Sequence, residues 1–494
     1  MIRGGVIIFW MRDSGEKLKV TKVVPVIETI SADLLTPLMV YLKLAGRSRN
    51  SFLLESVEGG ESLARYSFIG TDPEMIVTGN ASETRIHDES GERTVSVSMM
   101  DFLRDHFLNK VVTSDEELPA FVGGGIGYFG FDCAEWFEPS LRSADDSTDA
   151  SATFMFFRSV IAFDHAKQVV KIVTLCFVEG DENESCFDDA AHRNAAIRRV
   201  LEDGSIDIPK KTGSVPTSGE VTSNWTREGF ENAVVQIKEL ILSGDCYQVV
   251  ISQRFSRNTS AHPVSIYRAM RSLNPSPYMF LLQMDGVSVI GASPEMLVKS
   301  SGTELEYRPI AGTRRRGKTA IEDAELAEDM RQDAKEVAEH LMLVDLGRND
   351  LGRVAEYGSV KVDGLMSVEK YSHVQHLVSY LSAKLRKGFD RFDALASCFP
   401  AGTVSGAPKV RAIEIIRDIE PDHRGVYAGA VGYFDYAGNM DTCIAIRTMV
   451  LKDGLAHVQA GAGIVADSVP ASEYEETVNK ARGLLKAIEL AESK

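Results

Sequence analysis

The alternation of apolar and polar residues predicts strands along much of the chain. Near the N-terminus, FLLESVE, ARYSFIG and MIVTG are typical of short strands. Five later segments have the same character, namely CYQVVISQRF, YMFLLQM, VSVIGAS, LVKSSGTELEYRPI and VYAGAVGYFD. Residues 443–466 predict a hairpin that turns around Lys452–Gly454.

Apolar residues spaced three and four apart predict helices between these strands. Residues 225–244 show this spacing, with Thr226 as N-cap and Gly244 after the last turn. The segment ADLLTPLMVYLKL predicts a helix that begins at Ser31 or Asp33.

Two charged helices are predicted in the second half of the chain. Residues 319–347 predict one long helix. Residues 471–492 predict a closing helix, and Ser472 with Glu475 fits a capping box at its start.

Strands joined mostly by hairpins, with helices packed outside them, favour an α+β fold over a doubly wound parallel sheet. The sequence divides into an N-terminal extension (1–20), an N-terminal region (21–203), a linker (204–224) and a C-terminal domain (225–494). The extension contains VIIFWM, which is too short for a signal peptide core or a membrane span. The linker is rich in turn residues and lacks periodicity.

Charge and cysteine usage narrow the functional class. The net charge of −17 over 494 residues argues against nonspecific nucleic-acid binding, which requires a basic surface. An acidic protein that binds an anion must build a local positive site. The six cysteines have no zinc spacing, so we expect reduced thiols and a cytoplasmic location.

Two glutamate pairs stand out among the charged residues. Glu336 with Glu339, and Glu473 with Glu476, are each three residues apart, which places both carboxylates of a pair on one helix face. Four oxygen donors around one cleft would suit Mg²⁺. Taken alone, each pair is equally consistent with a solvated helix face.

Several other motifs have a structural and a functional interpretation. GGGIGYFG matches a dinucleotide fingerprint, but its aromatic residues favour a glycine-rich strand. RRRGK fits a turn with local salt bridges better than a phosphate site. His373 and His376 could form half of a zinc site, although a hydrogen-bonded histidine on a helix is the simpler interpretation for His373. Gly461 and Gly463 fit either an anion-binding nest or a bend.

Seven motifs occur in one order through the C-terminal domain: YRPIAGTRRRG, EHLMLVDLGRNDLGR, HVQHLVS, FPAGTVSGAPKVRA, YAGAVGYF, DTCIAIRT and QAGAGIVADSVPASEYEET. Together they closely resemble the chorismate-utilising enzymes, and within them the anthranilate synthase component I branch. The resemblance is strong over residues 225–494 and looser before them. It implies a large two-sheet antiparallel β-sandwich flanked by helices, in four α/β/β/α layers.

Three positions select the branch within that family. Gln248 stands where the water-activating members carry a lysine base, and glutamine cannot act as a base. Ala311 stands where aminodeoxychorismate synthases carry a nucleophilic lysine, which disfavours that alternative. His376 matches the histidine that completes pyruvate elimination.

The resemblance also implies the site and the reaction. Ammonia would replace the C4 hydroxyl of chorismate by attack at C2, and loss of pyruvate from 2-amino-2-deoxyisochorismate would give anthranilate, the first committed step of tryptophan biosynthesis. Glu295 matches the acid that protonates the leaving hydroxyl. The implied Mg²⁺ ligands are Glu339 and Glu476, with Glu336 and Glu473 in or next to the coordination sphere. The implied substrate contacts are Gly312, Thr313, Tyr427, Arg447, Gly461, Ala462, Gly463 and Lys480.

Two kinds of partner follow from the same resemblance. A separate glutamine amidotransferase subunit would supply ammonia, in a heterotetramer of two large and two small subunits. Tryptophan would inhibit at a pocket in which Glu55 faces the amino group. The residues implied for that pocket are Leu54, Glu55, Ser56, Pro277, Tyr278 and Met279. A catalytically silent, tryptophan-binding paralogue is the alternative outside the enzyme class.

Overall fold

The computed structural model describes residues 20–46, 48–56, 65–142, 151–178, 184–206, 219–371 and 374–493. Nearly all of the predicted N-terminal extension, most of the predicted linker, and His373 lie outside the described residues.

The helices of the described residues are α1 (Pro37–Ala45), α2 (Met99–Phe107), α3 (Ala134–Phe137), α4 (Glu184–Asp203), α5 (Arg227–Leu242), α6 (Pro263–Leu273), α7 (Ala320–Gln332), α8 (Ala334–Gly352), α9 (Arg391–Cys398), α10 (Lys409–Ile419) and α11 (Pro470–Ser493). Short 3₁₀ turns span Phe131–Cys133, Pro139–Leu141 and Gly402–Val404.

The strands of the first half are β1 (Thr21–Ser31), β2 (Ser51–Glu55), β3 (Tyr66–Thr71), β4 (Met75–Gly79), β5 (Thr84–Asp88), β6 (Gly91–Val95), β7 (Lys110–Val112), β8 (Gly124–Phe129), β9 (Ala152–Phe157), β10 (Ser159–Asp164), β11 (Val169–Val178) and β12 (Thr222–Ser223). Those of the second half are β13 (Gln248–Asn258), β14 (Tyr278–Met284), β15 (Val287–Ser293), β16 (Met296–Ser301), β17 (Glu304–Tyr307), β18 (Ile310–Arg315), β19 (Lys361–Lys370), β20 (Val374–Lys384), β21 (Gly406–Ala407), β22 (Ala430–Asp435), β23 (Met440–Ile444), β24 (Thr448–Lys452) and β25 (Leu455–Ile464).

These strands form two large sheets. The larger has 13 strands in the order β12-β13-β25-β24-β15-β14-β2-β3-β10-β11-β1-β7, with β21 paired to β13. The smaller has 12 strands in the order β18-β20-β17-β16-β23-β22-β8-β9-β4-β5-β6, with β19 paired to β20. Among the described strands, neighbours are antiparallel except for β1 and β7.

The two sheets pack face to face, and helices cover their outer faces. Phe52 and Phe280 of the larger sheet meet Tyr433 of the smaller sheet in the central core. On the far side of the larger sheet, a second core includes Tyr267 of α6 and Leu484 of α11. A third core lies between the smaller sheet and helices α2, α8 and α9. The four-layer α+β prediction is therefore confirmed.

Both sheets draw strands from both halves of the chain. In the larger sheet β2 pairs with β14, and in the smaller sheet β8 pairs with β22. Each sheet therefore contains strands from before and after residues 204–224. The predicted division into domains at these residues stays a prediction. The motif GGGIGYFG forms β8, as the strand interpretation expected.

Two predicted helix boundaries and one predicted capping box are wrong. The long helix over 319–347 is two helices, because the Asp333 side chain accepts backbone N–H bonds from Lys335 and Glu336 and starts α8 there. The first helix begins at Pro37, with Thr36 as its N-cap, because β1 continues to Ser31.

The closing helix α11 begins at Pro470, so Ser472 lies inside it. Its predicted partner Glu475 pairs instead with Arg227 of α5, at 3.0 Å. By contrast, Thr226 caps α5 as predicted, accepting from the backbone N–H of Gly229.

The expectation of six reduced cysteines is wrong for one pair. Cys176, in β11, and Cys186, in α4, form a disulfide, because α4 packs back against β11 and brings the two Cα atoms to 5.7 Å. The other four are buried thiols. In the part of the chain that is described, the helices lack the length and apolar character needed to cross a membrane.

Candidate active site

A cavity of about 830 Å³ opens between the two sheets, where β13 and β25 face β18 and β20. Helices α8 and α11 close its sides. It is lined by Pro277 of the predicted inhibitor pocket and by 13 of the predicted catalytic, substrate-binding and metal-binding residues: Gln248, Glu295, Gly312, Thr313, Glu339, His376, Tyr427, Arg447, Gly461, Gly463, Glu473, Glu476 and Lys480. The structure does not place Ala462 or Glu336 on the cavity wall.

Glu295 is the most deeply buried carboxyl group of the cavity. It follows β15, and only 7% of the residue is exposed. Burial raises its pKa to about 8, because the charged form loses hydration. A carboxyl group that stays protonated at neutral pH can donate a proton to a leaving group.

His376 lies on β20, which corrects the helix expected for its segment. Its Nδ1 is 2.8 Å from the carbonyl oxygen of Gly312 and 3.1 Å from the hydroxyl of Thr313. A carbonyl can only accept, so Nδ1 carries the proton and Nε2 is left with a lone pair. Burial lowers the pKa of His376, which favours this neutral form.

Gly461 and Gly463 lie in a regular part of β25, opposite Ser252 and Val250 of β13. The N–H of Val250 donates to Ser405 and the N–H of Ser252 donates to Glu420, so both point away from β25. By the antiparallel pattern, Gly461 and Gly463 therefore turn their backbone groups towards the opposite edge of β25. Because the pairing with β24 ends at Val458, that edge is open at the cavity.

This arrangement replaces both earlier interpretations of the glycines. Neither has a positive φ, so they form no nest, and their regular pairing with β13 shows no bend. Their missing side chains make room for neighbours. A Cβ on Gly461 would lie 2.8 Å from the Tyr427 hydroxyl, and one on Gly463 would lie 2.5 Å from Nε2 of Gln248. Ala462, between them, is fully buried.

Arg447 supplies a cation with no carboxylate partner among the described residues. Its φ is +51°, an unusual backbone conformation for a residue with a side chain. Such conformations cluster at functional sites. Burial lowers the pKa of Arg447, because the charged form loses hydration.

The glutamates approach each other across the cavity from α8 and α11. Burial raises the pKa of Glu339, and the charges of Glu336 and Glu476 raise it further. Burial and Glu476 likewise raise the pKa of Glu473. Lys480 partly offsets this charge, with Nζ 2.7 Å from Glu476 and 3.0 Å from the carbonyl oxygen of Gly461.

Glu336 is engaged outside the cavity by Arg314, at 2.8 Å. The same guanidinium pairs with Asp329 and Asp333, so the arginine run binds acidic side chains as its turn interpretation expected. Within the described residues, no three metal-binding side chains converge closely enough to hold an ion.

Sequence reasoning missed several polar residues of the cavity, among them Lys335 and Gln459. The positive charge of Lys335 partly offsets the raised pKa values of Glu339 and Glu473. In the sequence, its position four residues before Glu339 could have indicated this role. Gln459 precedes the glycines in QAGAG and lies on the same face of β25 as Gly461. Its position two residues before Gly461 was the available signal.

A second cavity, of about 120 Å³, lies in the central core and is lined by all six residues of the predicted inhibitor pocket. The hydroxyl of Ser56 is buried there and has no partner among the described residues. The carboxylate of Glu55 is held on the helix side of β2, 2.5 Å from the Tyr267 hydroxyl and 3.2 Å from Arg271. That position does not support the expected contact with an amino group.

Comparison with known proteins extends these observations. The profile of the chorismate binding enzyme family matches residues 49–486. Anthranilate synthase component 1 of Acetivibrio thermocellus is 45% identical over 480 residues, which cover 95% of this chain and 96% of that protein.

Two solved structures are similar to this chain along most of its length. Anthranilate synthase component I from Streptococcus pneumoniae superposes with a TM-score of 0.74 at 35% identity, over 92% of this chain and 98% of that one. The menaquinone-specific isochorismate synthase of Escherichia coli shares the fold, with a TM-score of 0.70 at 20% identity and 96% of each chain covered.

Proposed function

The chain belongs to the chorismate binding enzyme family, and from that membership we propose that it is an anthranilate synthase component 1. The observation that carries the proposal is that one cavity combines a buried acid, Glu295, with a neutral base, His376, while Gln248 and Ala311 occupy the two branch-determining positions. Neither of the latter residues can activate water or form a covalent adduct.

In the first half-reaction, the nitrogen of ammonia forms a bond to C2 of chorismate, both ring double bonds shift (C1=C2 to C1=C6, and C5=C6 to C4=C5), and the C4–O bond breaks. Glu295 gives its proton to the departing hydroxyl, which leaves as water. The new ammonium group then loses a proton, so the products are water and 2-amino-2-deoxyisochorismate. The pKa of about 8 keeps Glu295 in the required acid form at neutral pH.

In the second half-reaction, the C2 proton leaves and the C3–O bond breaks, which makes the ring aromatic. The departing enolpyruvyl group gains a proton and becomes pyruvate. The free Nε2 lone pair of His376 suits it for this proton transfer, because Gly312 fixes the tautomer. Arg447, Tyr427 and the open edge of β25 at Gly463 would hold the substrate's carboxylates.

The chemistry of the cavity's carboxylates fits a magnesium ion, although no three metal-binding side chains of the described residues converge in this structure. Glu339 faces Glu473 and Glu476 across the cavity, and their mutual repulsion would be relieved by a divalent cation. Mg²⁺ accepts a few carboxylates together with water and substrate oxygens. When bound, it would neutralise and orient the ring carboxylate of chorismate. Glu336 would join only after leaving Arg314.

We propose tryptophan as the ligand of the second cavity, as feedback control of the same pathway. The unpartnered Ser56 hydroxyl supports a polar ligand, because a buried hydroxyl without a hydrogen bond is costly. Besides Glu55, the acid Asp441 lines this cavity, and it lies 3.1 Å from the Tyr278 hydroxyl. Burial raises its pKa to about 6.

Ammonia would come from a glutamine amidotransferase partner, in a heterotetramer with two copies of each subunit. The name component 1 carried by the relatives supports a second component. In the isolated chain, free ammonia at high pH would substitute for the partner.

One assay tests the proposal. The purified chain is incubated with chorismate, ammonium and Mg²⁺, with and without a chelator and with and without tryptophan. We expect fluorescent anthranilate that requires Mg²⁺ and decreases with tryptophan. Formation of 4-amino-4-deoxychorismate would show the aminodeoxychorismate synthase instead. Tryptophan binding without turnover would show a silent paralogue.

A further inference from the structure

Gln459 is held in one orientation by a buried hydrogen-bond chain. The Ser252 hydroxyl lies 2.9 Å from Oε1 of Glu420, and its single proton must go to that carboxylate, which can only accept. The Ser252 oxygen is therefore an acceptor for its other neighbour. That neighbour is the Gln459 amide, 2.9 Å away, so the atom facing Ser252 is Nε2.

The start of this chain is itself fixed. Glu420 forms an ion pair with Arg424, and both side chains are at least 96% buried. Arg424 also donates to the carbonyl oxygens of Val404 and Val250. The anchored carboxylate sets the direction of both hydrogen bonds that follow it, and the Gln459 amide cannot reverse without leaving two acceptors face to face.

The consequence is a carbonyl oxygen directed into the cavity. Gln459 is only 7% exposed and lines the cavity beside Gly461. Across the residues that the structure describes, no protein donor reaches its Oε1, yet this atom is not sealed from solvent. Because Gln459 lines the cavity, we take the cavity as the space that Oε1 faces.

A carbonyl oxygen accepts hydrogen bonds from neutral donors and does not bind carboxylates. We therefore infer that Gln459 holds the incoming ammonia, with Oε1 accepting one of its N–H bonds and leaving the nitrogen lone pair free to attack. This inference rests on the proposed function. Among the reactants, the chorismate hydroxyl is the other neutral donor, and Glu295 already serves it.

Steady-state kinetics of the Gln459→Leu variant test the inference. We expect the KM for ammonium to rise about fivefold, the loss typical of one neutral hydrogen bond, while the KM for chorismate stays constant. A purely structural role would change both constants or the melting temperature. Gln283→Leu is the matched control, because the side chain of that glutamine lies in the same sheet, accepts from the Tyr41 hydroxyl and does not line the cavity.

A second variant covers the case in which Gln459→Leu does not fold. Ser252→Ala removes the link that orients the amide, so the KM for ammonium should rise about twofold with the chorismate KM unchanged. An unchanged ammonium KM in either folded variant overturns the inference while the proposed function stands. A rise confined to the chorismate KM assigns Gln459 to the substrate hydroxyl and also overturns it. If the wild-type chain forms no aminated product, the proposed function fails, and the inference with it.

Discussion

The Nδ1 atom of His376 lies 2.8 Å from the carbonyl oxygen of Gly312, and this contact determines the tautomer of the histidine. Gly312 has a φ of +66°, a conformation that favours glycine. Gly312 is the third residue of β18, and its left-handed conformation thus places its carbonyl oxygen next to the imidazole of His376 on β20. Nε2 remains a base.

Replacing this base should separate the two half-reactions. We expect His376→Met to form the aminated intermediate but to release anthranilate at least about 100-fold more slowly, because general base catalysis is lost. Mass spectrometry would detect the intermediate, and fluorescence would follow anthranilate. Normal anthranilate output would remove the assigned role.

The buried acid predicts a pH limit on the high side. Glu295 has a pKa of about 8, so its proton is present below pH 8 and lost above it. At saturating free ammonia, we expect kcat to fall about tenfold per pH unit above that value. Glu295→Gln should lower kcat at least about 100-fold, and its pH profile should lack the fall above pH 8. A rate that keeps rising to pH 9.5 would contradict the acid role.

The layered fold and most strands could be predicted from the sequence, because apolar segments such as CYQVVISQRF do form strands, in this case the largely buried β13. The points at which helices end were harder to predict from the sequence than the strands. Nothing in the apolar pattern shows that Asp333 ends one helix and begins another, since the break depends on side-chain capping.

The residues of the candidate site were predictable, but several contacts were not. The resemblance pointed to Glu55 and Glu336 without showing that Arg271 and Arg314 already pair with their carboxylates. Gln459 was missed for a related reason. Its orientation depends on Ser252 and Glu420, which meet it only through the pairing of distant strands.

A methyl group on Gly463 should disturb the cavity without unfolding the protein. The new Cβ would lie 2.5 Å from Nε2 of Gln248, which is the far end of a flexible side chain. We expect Gly463→Ala to lower kcat/KM for chorismate about 10-fold to 100-fold, because small displacements of positioning groups are costly. Gly352→Ala is the control, since its Cβ would meet nothing within 4 Å. Equal kinetics of the two variants would refute this role of Gly463.

A large side chain at Ser56 should close the second cavity. The phenyl ring of Ser56→Phe would occupy much of its 120 Å³, so we expect tryptophan inhibition to weaken at least about tenfold, since one lost subsite commonly costs more than 1.4 kcal/mol. Turnover without tryptophan should be close to normal, because Ser56 does not line the active cavity, although Pro277 lines both cavities. Ser90→Phe, on an exposed turn, is the matched control. Unchanged inhibition in Ser56→Phe would place the inhibitor elsewhere.

A buried ion pair joins two of the sequence motifs, LGRND and GAPK, and it predicts an effect on the free energy of unfolding. Nζ of Lys409 lies 2.8 Å from Asp350 and 3.2 Å from the carbonyl oxygen of Cys398, and neither charged side chain is more than 8% exposed. Lys409→Met would leave the Asp350 carboxylate buried without a counter-ion, which should cost about 3–5 kcal/mol in the free energy of unfolding. Removing both charges in Lys409→Met/Asp350→Leu should recover most of that loss, because no unpaired charge remains. Lys486→Met, which breaks an exposed pair with Glu489, should cost less than about 1 kcal/mol. Urea unfolding of the wild type and the three variants measures these differences. A Lys409→Met variant as stable as the wild type would show that the pair does not support the fold.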